Sequence, residues 1–328
     1  MDVTWARTLR DDDARDYDAF VLASPAGHHA QTRAWADVAR AGALVTPRFV
    51  LVRDQGNVVG AALVLRPRVA GVVLPWAWID RGPVVQNVEQ IAPVTSAIVR
   101  SARLRGIARL EVMPYWARDA AVLAEHWLAG IGFRDVQKAD GAHVCTLRIA
   151  VGGLSDEELF GGKSKEQVRW RAKQAQRAGA RARRGANEDW GRLRELHGAM
   201  MHAQGKPESP RPWWNAVRRY VEHEGRGSLH VCEYEGRVVS ACVALRHGPL
   251  ATYAWGASVG QRLPFSKAIP SLVAAIRWAR DVGCTNFDLG GIPAETDTDS
   301  KRNAIATFKL DFDKRRVRLV RRHGRWLL

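Results

Sequence analysis

The segment Val50–Leu65 (VLVRDQGNVVGAALVL) aligns without gaps on His230–Leu245 (HVCEYEGRVVSACVAL), 180 residues further along the chain. Gly56/Gly236, Val58/Val238, Val59/Val239, Ala61/Ala241 and Leu65/Leu245 are identical pairs. Each copy reads as apolar strand, polar turn with glycine, apolar strand, the pattern of a β-hairpin. The succession that follows also repeats. After the first copy come a strand pair over Gly71–Ile79, a helix over Val94–Arg105 and a strand over Ala108–Met113 ended by Pro114. After the second come a strand over Ala251–Ala257, a helix over Ile269–Val282 and a strand over Asn286–Leu289 ended by Gly290-Gly291. Both helices close on Ala-Arg-x-x-Gly, with Gly106 and Gly283 where a helix terminus needs positive φ. A repeat of whole supersecondary units constrains a fold more than any local motif. It predicts two similar α+β lobes, residues 1–150 and 151–310, with residues 311–328 a C-terminal strand returning to the first lobe.

The charge is as unevenly distributed as the repeat is regular. The chain of 328 residues carries a formal net charge of +16. Lys163–Arg184 holds nine basic residues against Glu166, and Lys301–Leu328 holds ten against Asp311 and Asp313, so these two segments account for the whole excess. Lys165, Arg169, Lys173, Arg177 and Arg181 recur every four residues and would form one ridge on a helix. Like charges at that spacing repel, and a phosphate backbone is the simplest compensator; a solvated helix face is the alternative. No helix-turn-helix, zinc-finger or RNP motif is present, so DNA reading is not expected.

The length suits two domains, and 46% hydrophobic residues suffice for packed cores. No apolar run reaches the roughly 18 residues that span a bilayer, and the acidic start of Met1–Asp13 is not a secretory signal; a cytoplasmic protein is expected. Cys145, Cys232, Cys242 and Cys284 lie far apart, without zinc spacing, and read as reduced thiols. The vicinal pair His28-His29 has no further ligand nearby and reads as a loop, so no metal is expected.

Hairpin, strand, helix and closing strand is the core order of the GNAT acetyltransferase fold, and several local motifs narrow the resemblance. Gln31-Thr32-Arg33-Ala34-Trp35, Arg81-Gly82-Pro83, the basic run Arg169–Gly179, Tyr253-Ala-Trp-Gly-Ala-Ser258, and Phe287-Asp288-Leu289-Gly290-Gly291 followed by Phe308-Lys309 occur in order. In these the chain resembles the FemABX family of aminoacyl-tRNA-dependent peptidyltransferases, in its form without a coiled-coil arm. The resemblance implies two GNAT-like lobes, aminoacyl-tRNA as donor and a primary amine as acceptor, and no cofactor. The basic helix, with Lys165, Arg169, Lys173 and Arg177, is then expected to face tRNA.

Attack by an amine on an activated ester needs alignment, oxyanion stabilisation and a proton for the leaving ribose oxygen, but no metal or covalent nucleophile. The resemblance makes Lys309 the candidate for the oxyanion and Phe308 a wall for the adenosine or aminoacyl group. Tyr253 is a candidate hydrogen-bond donor, and Asp288 is expected to hold the incoming ammonium or take its proton. Arg211 falls where the family binds the phosphates of a nucleotide-linked cell-wall peptide. Asn215 stands where a tyrosine would follow, with Trp213 and Trp214 beside it, a departure bearing on the acceptor. Trp78, with Trp76, is a further candidate for the acceptor cleft. Two other readings stay open: an acyl-CoA N-acyltransferase and a non-catalytic RNA-binding protein. The acyl-CoA reading needs a pyrophosphate loop at a helix start, which neither Gln176–Ala180 nor Gly290–Ala294 supplies.

Overall fold

The computed structural model describes residues 1–42, 44–136, 144–223, 225–293 and 307–327. Two compact units result: Met1–Val144 with Arg318–Leu328, and Cys145–Val317.

The first unit runs β1 (Asp2–Ala6), α1 (Asp11–Ala23), α2 (Trp35–Gly42), β2 (Val45–Asp54), β3 (Asn57–Val69), β4 (Val72–Val73), β5 (Trp76–Arg81), α3 (Ile91–Arg103), β6 (Arg109–Pro114), α4 (Asp119–Gly130) and β7 (Arg134–Asp135). The second runs β8 (Cys145–Ala150), α5 (Asp156–Phe160), α6 (Glu166–Arg177), β9 (Arg181–Arg184), α7 (Asp189–Ala203), α8 (Arg211–Glu222), β10 (Gly227–Tyr234), β11 (Arg237–His247), β12 (Leu250–Ser258), α9 (Ala268–Asp281), β13 (Asn286–Ile292) and β14 (Arg316–Arg318). β15 (His323–Trp326) then joins the first sheet, whose order is β1-β2-β3-β5-β6-β15-β7; the second sheet is ordered β14-β8-β13-β12-β11-β10-β9.

The repeat survives in three dimensions at the level of single residues. In β2–β3 the turn residues Gln55 and Gly56 both have positive φ (48° and 83°), as do Glu235 and Gly236 in β10–β11 (50° and 71°). Both are therefore the tight turns whose twist matches paired strands. The register slips between Val52 and Arg53 in one hairpin and between Cys232 and Glu233 in the other, again 180 residues apart. Each hairpin also carries a small residue where the following helix crosses it. A Cβ on Gly60 would lie 2.4 Å from Val94 on α3. The equivalent Ser240 donates to Lys267 O at 2.6 Å and lies 3.2 Å from Ser271 Oγ on α9. α3 buries Ile91, Val94, Ile98 and Ala102, and α9 buries Ile269, Leu272, Ile276 and Ala279, the spacing of an apolar helix stripe. Gly106 and Gly283 close the helices at φ 66° and 81°.

The Gln31–Trp35 and Arg81–Pro83 motifs meet here. β3 and β5 pair through Leu65 and Trp78, and the Gln31 amide bridges the gap beyond, accepting from Leu63 N (2.7 Å) and donating to Asp80 O (2.5 Å). A Cβ on Gly82 would come within 2.8 Å of that amide, so the two motifs form one packing unit.

Three expectations change. The boundary falls at residues 144/145 rather than 150/151, because Cys145–Ala150 pairs with β13 in the second sheet. Of the segment 311–328, β15 alone pairs in the first sheet, with β6 and β7, while β14 extends the second beside β8. The basic ridge is not one helix: α6 stops at Arg177, Gly179 (φ 87°) turns the chain, and Arg181 opens β9. Lys301 and Arg302 of the second basic segment lie outside the described residues, as does Ala294.

Candidate active site in the second unit

The equivalent parallel strand pairs of the two units differ. β5 and β6 stay paired over six residues, Trp76–Arg81 against Arg109–Pro114. β12 and β13 pair over three, Leu250–Thr252 against Asn286–Asp288, and then part. β12 continues along β11, and β13 continues along β8. The parting follows from backbone irregularities on both strands. On β12 the register slips so that Val243 faces Trp255 and Ala244 faces Tyr253, leaving Ala254 as the extra residue. On β13 it slips between Asp288 and Gly291, with Gly290 at φ 76°.

Lys309, on the helical turn at 307–310, sends its side chain to this opening. Its Nζ donates to Gly291 O at 2.9 Å and lies 5.8 Å from the Tyr253 ring centroid. A Cβ on Gly290 would sit 3.1 Å from Tyr253 O and 3.5 Å from Lys309 Nζ, so glycine is what fits between them. Lys309 is only 7% exposed, not in an open cleft. Burial pulls its pKa down to about 8, against the favourable charge of Asp288.

Asp288 is 1% exposed and fully engaged: Oδ1 accepts from Thr146 Oγ1 and from Gly290 N (2.8 Å), and Oδ2 accepts from Arg148 Nε (3.0 Å). Thr146 and Arg148, both on β8, read in the sequence as ordinary residues of a strand, with no signal of their bond to Asp288. The bulge at Ala254 sends Tyr253 to the Lys309 face, while Trp255 packs with Trp213 (5.1 Å) and Trp214 (6.1 Å) of α8. Burial, then the neighbouring Cys242, raises the Tyr253 pKa, so the phenol stays protonated and is a donor, not a base. A Cβ on Gly256 would fall 1.7 Å from Tyr253 Oη, which explains the glycine three residues after the tyrosine. Phe308 is half-buried and meets Phe312 edge-on at 6.1 Å within the core.

Other candidates are less close to this centre. Trp214 is buried against His197 (5.1 Å) as part of an aromatic cluster, and Arg211 is exposed at the first position of α8. Trp78 lies in the first unit, bonded through Nε1 to Asp80 Oδ2 at 3.0 Å. The ridge divides in two. Lys165 Nζ donates to Leu159 O (2.6 Å), and Arg169 to Phe160 O (2.5 Å) and Gly162 O (2.8 Å), so both cap the carbonyl end of α5. Lys173 and Arg177 are exposed, with no acidic partner among the described residues. Lys173 and Arg181, with Arg277 and Phe160, line a groove of about 740 Å³ between α5, α6, α9 and β9. His28 and His29 stack at 3.9 Å against Tyr115 and Trp35, and His28 Nδ1 accepts from Ala30 N. The described residues hold no metal-ligand cluster, and no helix among them is long and apolar enough to cross a membrane.

Residues 13–127 match the FemAB family, and residues 162–302 match the acetyltransferase (GNAT) domain. The crystal structure of FemX superposes with a TM-score of 0.81 at 18% identity, covering 99% of this chain and 97% of that one. The FemAB match lies within the first unit, and the whole chain shares the fold of FemX. The two partial family matches and the shared fold are those of an acyltransferase built from two GNAT-like lobes. Weaker fold likeness extends to a tandem GNAT protein from the clavulanic acid biosynthesis pathway (TM-score 0.58, 12% identity, 100% and 99% of the two chains). It also extends to L-PGS from Bacillus licheniformis (TM-score 0.56, 13% identity, 85% and 83%). No curated protein sequence matches the chain.

Proposed function

We propose that this chain is an enzyme of the FemABX type, transferring an amino acid from aminoacyl-tRNA to a primary amine of a peptidoglycan precursor or of a small peptide or antibiotic intermediate. The observation that carries the reading is the ammonium of Lys309 at the parting of β12 and β13. The amine attacks the ester carbonyl, an N–C bond forms, and the carbonyl oxygen becomes an oxyanion. Collapse breaks the C–O bond, and the proton lost by the amine nitrogen is balanced by the one the ribose oxygen takes up as it leaves as a hydroxyl. With a pKa of about 8, Lys309 is mostly an ammonium at neutral pH, and its bond to Gly291 O fixes it in place. A fixed charge in a desolvated site stabilises a developing oxyanion without reorganising. Tyr253 offers a second donor beside it. Asp288, with three donors of its own, acts as a positioning residue that holds the Gly290 turn and supports the charge on Lys309. Burial pushes the Cys232 and Cys242 thiols up to about 11 and about 12, which suits direct transfer over a thiolate nucleophile.

For the donor, Lys173, Arg177 and Arg181 offer cations for a phosphate backbone beside the groove. The match to an acetyltransferase domain favours acyl-CoA as a competing donor. Against it, the loop before α9 directs the carbonyls of Val259 and Gln261 at Lys267 Nζ, where a phosphate cradle would converge N–H groups. The test is product formation with charged bulk tRNA and candidate amines, read by mass. Ribonuclease pretreatment should abolish product; robust turnover with acetyl-CoA after ribonuclease would reassign the donor.

A further inference from the structure

A second charged site lies wholly in the first unit. Trp5, Arg7, Arg48, Arg66 and Arg105 line a cleft of about 370 Å³. Sheet register explains the convergence. On β2–β3, Thr46 faces Arg66 and Arg48 faces Val64, so the two arginines are diagonal neighbours on one face. Trp5 faces Val50 on the same side, and its Nε1 donates to Ser101 Oγ (3.0 Å) at the end of α3. Arg105 lies over the Trp5 ring at 5.3 Å and donates to Ser101 O at 2.9 Å.

Four guanidiniums in one cleft repel one another, and a carboxylate would be the ordinary remedy. This chain uses that remedy elsewhere: Arg53 bonds Asp13 and Asp16, and Arg183 bonds Asp189 and Glu233. Here, among the described residues, Arg48 and Arg66 bond only the carbonyls of Pro47 (2.8 Å) and Leu74 (3.1 Å). The buried Nε of Arg66 has no partner. Burial, with Arg7, Arg66 and Arg40 nearby, lowers the Arg48 pKa, and burial lowers that of Arg66. Arg7 and Arg105 are exposed at the mouth.

We propose that this cleft binds a pyrophosphate group, with Arg48 and Arg66 at its floor and Arg7 and Arg105 at its mouth. The ligand class follows from the donor set: several guanidinium forks without a counter-charge match closely spaced phosphates better than a single carboxylate. The source is either inorganic pyrophosphate or a nucleoside diphosphate whose base stays near Trp5.

The test is calorimetric titration of the full chain with sodium pyrophosphate, ADP and sodium sulfate at matched ionic strength, with tryptophan fluorescence alongside. Saturable binding of pyrophosphate but not of sulfate is expected, and Arg48→Gln/Arg66→Gln should weaken it at least tenfold. The exposed pair Arg7→Gln/Arg105→Gln should weaken it too, which guards against misfolding of the first variant. ADP binding tighter than pyrophosphate assigns the nucleotide source; pyrophosphate equal or tighter assigns the free anion. Without ligand, Arg48→Gln should melt no lower than the parent, because it relieves repulsion. Equal responses to sulfate and pyrophosphate, or unchanged affinity in both double variants, would overturn the site.

Discussion

The ammonium of Lys309 donates to the carbonyl of Gly291 at 2.9 Å, across the point where two parallel strands separate. If that ammonium meets charge that exists only in the transition state, Lys309→Met should lower kcat by about 10²–10³ and leave KM nearly unchanged. Because Nζ is buried, the substitution removes both a costly buried charge and a hydrogen bond, and these effects oppose each other. The melting temperature should therefore shift by only a few degrees. Normal kcat with weakened tRNA affinity would reduce Lys309 to a phosphate contact.

The depressed pKa of Lys309 sets a pH dependence of its own. The ammonium is needed, so activity should fall above about pH 8 as the group loses its proton. Between about pH 8 and the ordinary lysine value, the unfolded chain binds more protons than the folded one. This residue's contribution to stability therefore rises with pH over that window. Lys309→Arg does not titrate there and should remove the basic limb while retaining part of the rate. A limb that persists in that variant would belong to another group.

Asp288 raises the pKa of Lys309, so Asp288→Asn should move the basic limb to lower pH. Its carboxylate also pairs with Arg148, and a broken buried pair typically costs about 3–5 kcal/mol. A lower melting temperature with an unmoved limb would leave Asp288 a purely structural residue.

Gly290→Ala forces a side chain onto a backbone at φ 76° and brings its Cβ to 3.1 Å from Tyr253 O. Backbone strain of about 1–2 kcal/mol is expected, and the displaced neighbour is the strand opposite Lys309. Activity should fall further than stability, measured by kcat and by thermal melting of the same preparation.

The two halves of the basic ridge should behave differently. Lys173→Gln/Arg177→Gln should weaken tRNA binding and flatten its log–log salt dependence by roughly one unit per lost phosphate contact. Arg169→Gln should instead lower the melting temperature, since its guanidinium caps Phe160 O and Gly162 O. Equal effects of both variants on tRNA affinity would restore a single continuous ridge.

What the sequence determined by itself is local or periodic. The two hairpins, their glycine turns, the apolar stripes of α3 and α9 and the glycines that close them follow from residue spacing and from backbone conformations that glycine adopts freely. Ordered motifs pointed to Tyr253, Asp288 and Lys309, which the structure brings together where β12 and β13 part, and to Phe308, which packs on the core of the same unit. Tertiary structure alone decided how each charged group is partnered. Asp288 is held by Arg148, 140 residues earlier, and Arg169 caps a short helix rather than facing solvent. Cys145–Ala150 belongs to the second sheet because its partner strand is β13. A row of arginines reads identically in sequence whether its charges meet carbonyls, carboxylates or open water. Those contacts join residues distant along the chain, and their energies depend on burial and on the partner's position, neither of which has a period.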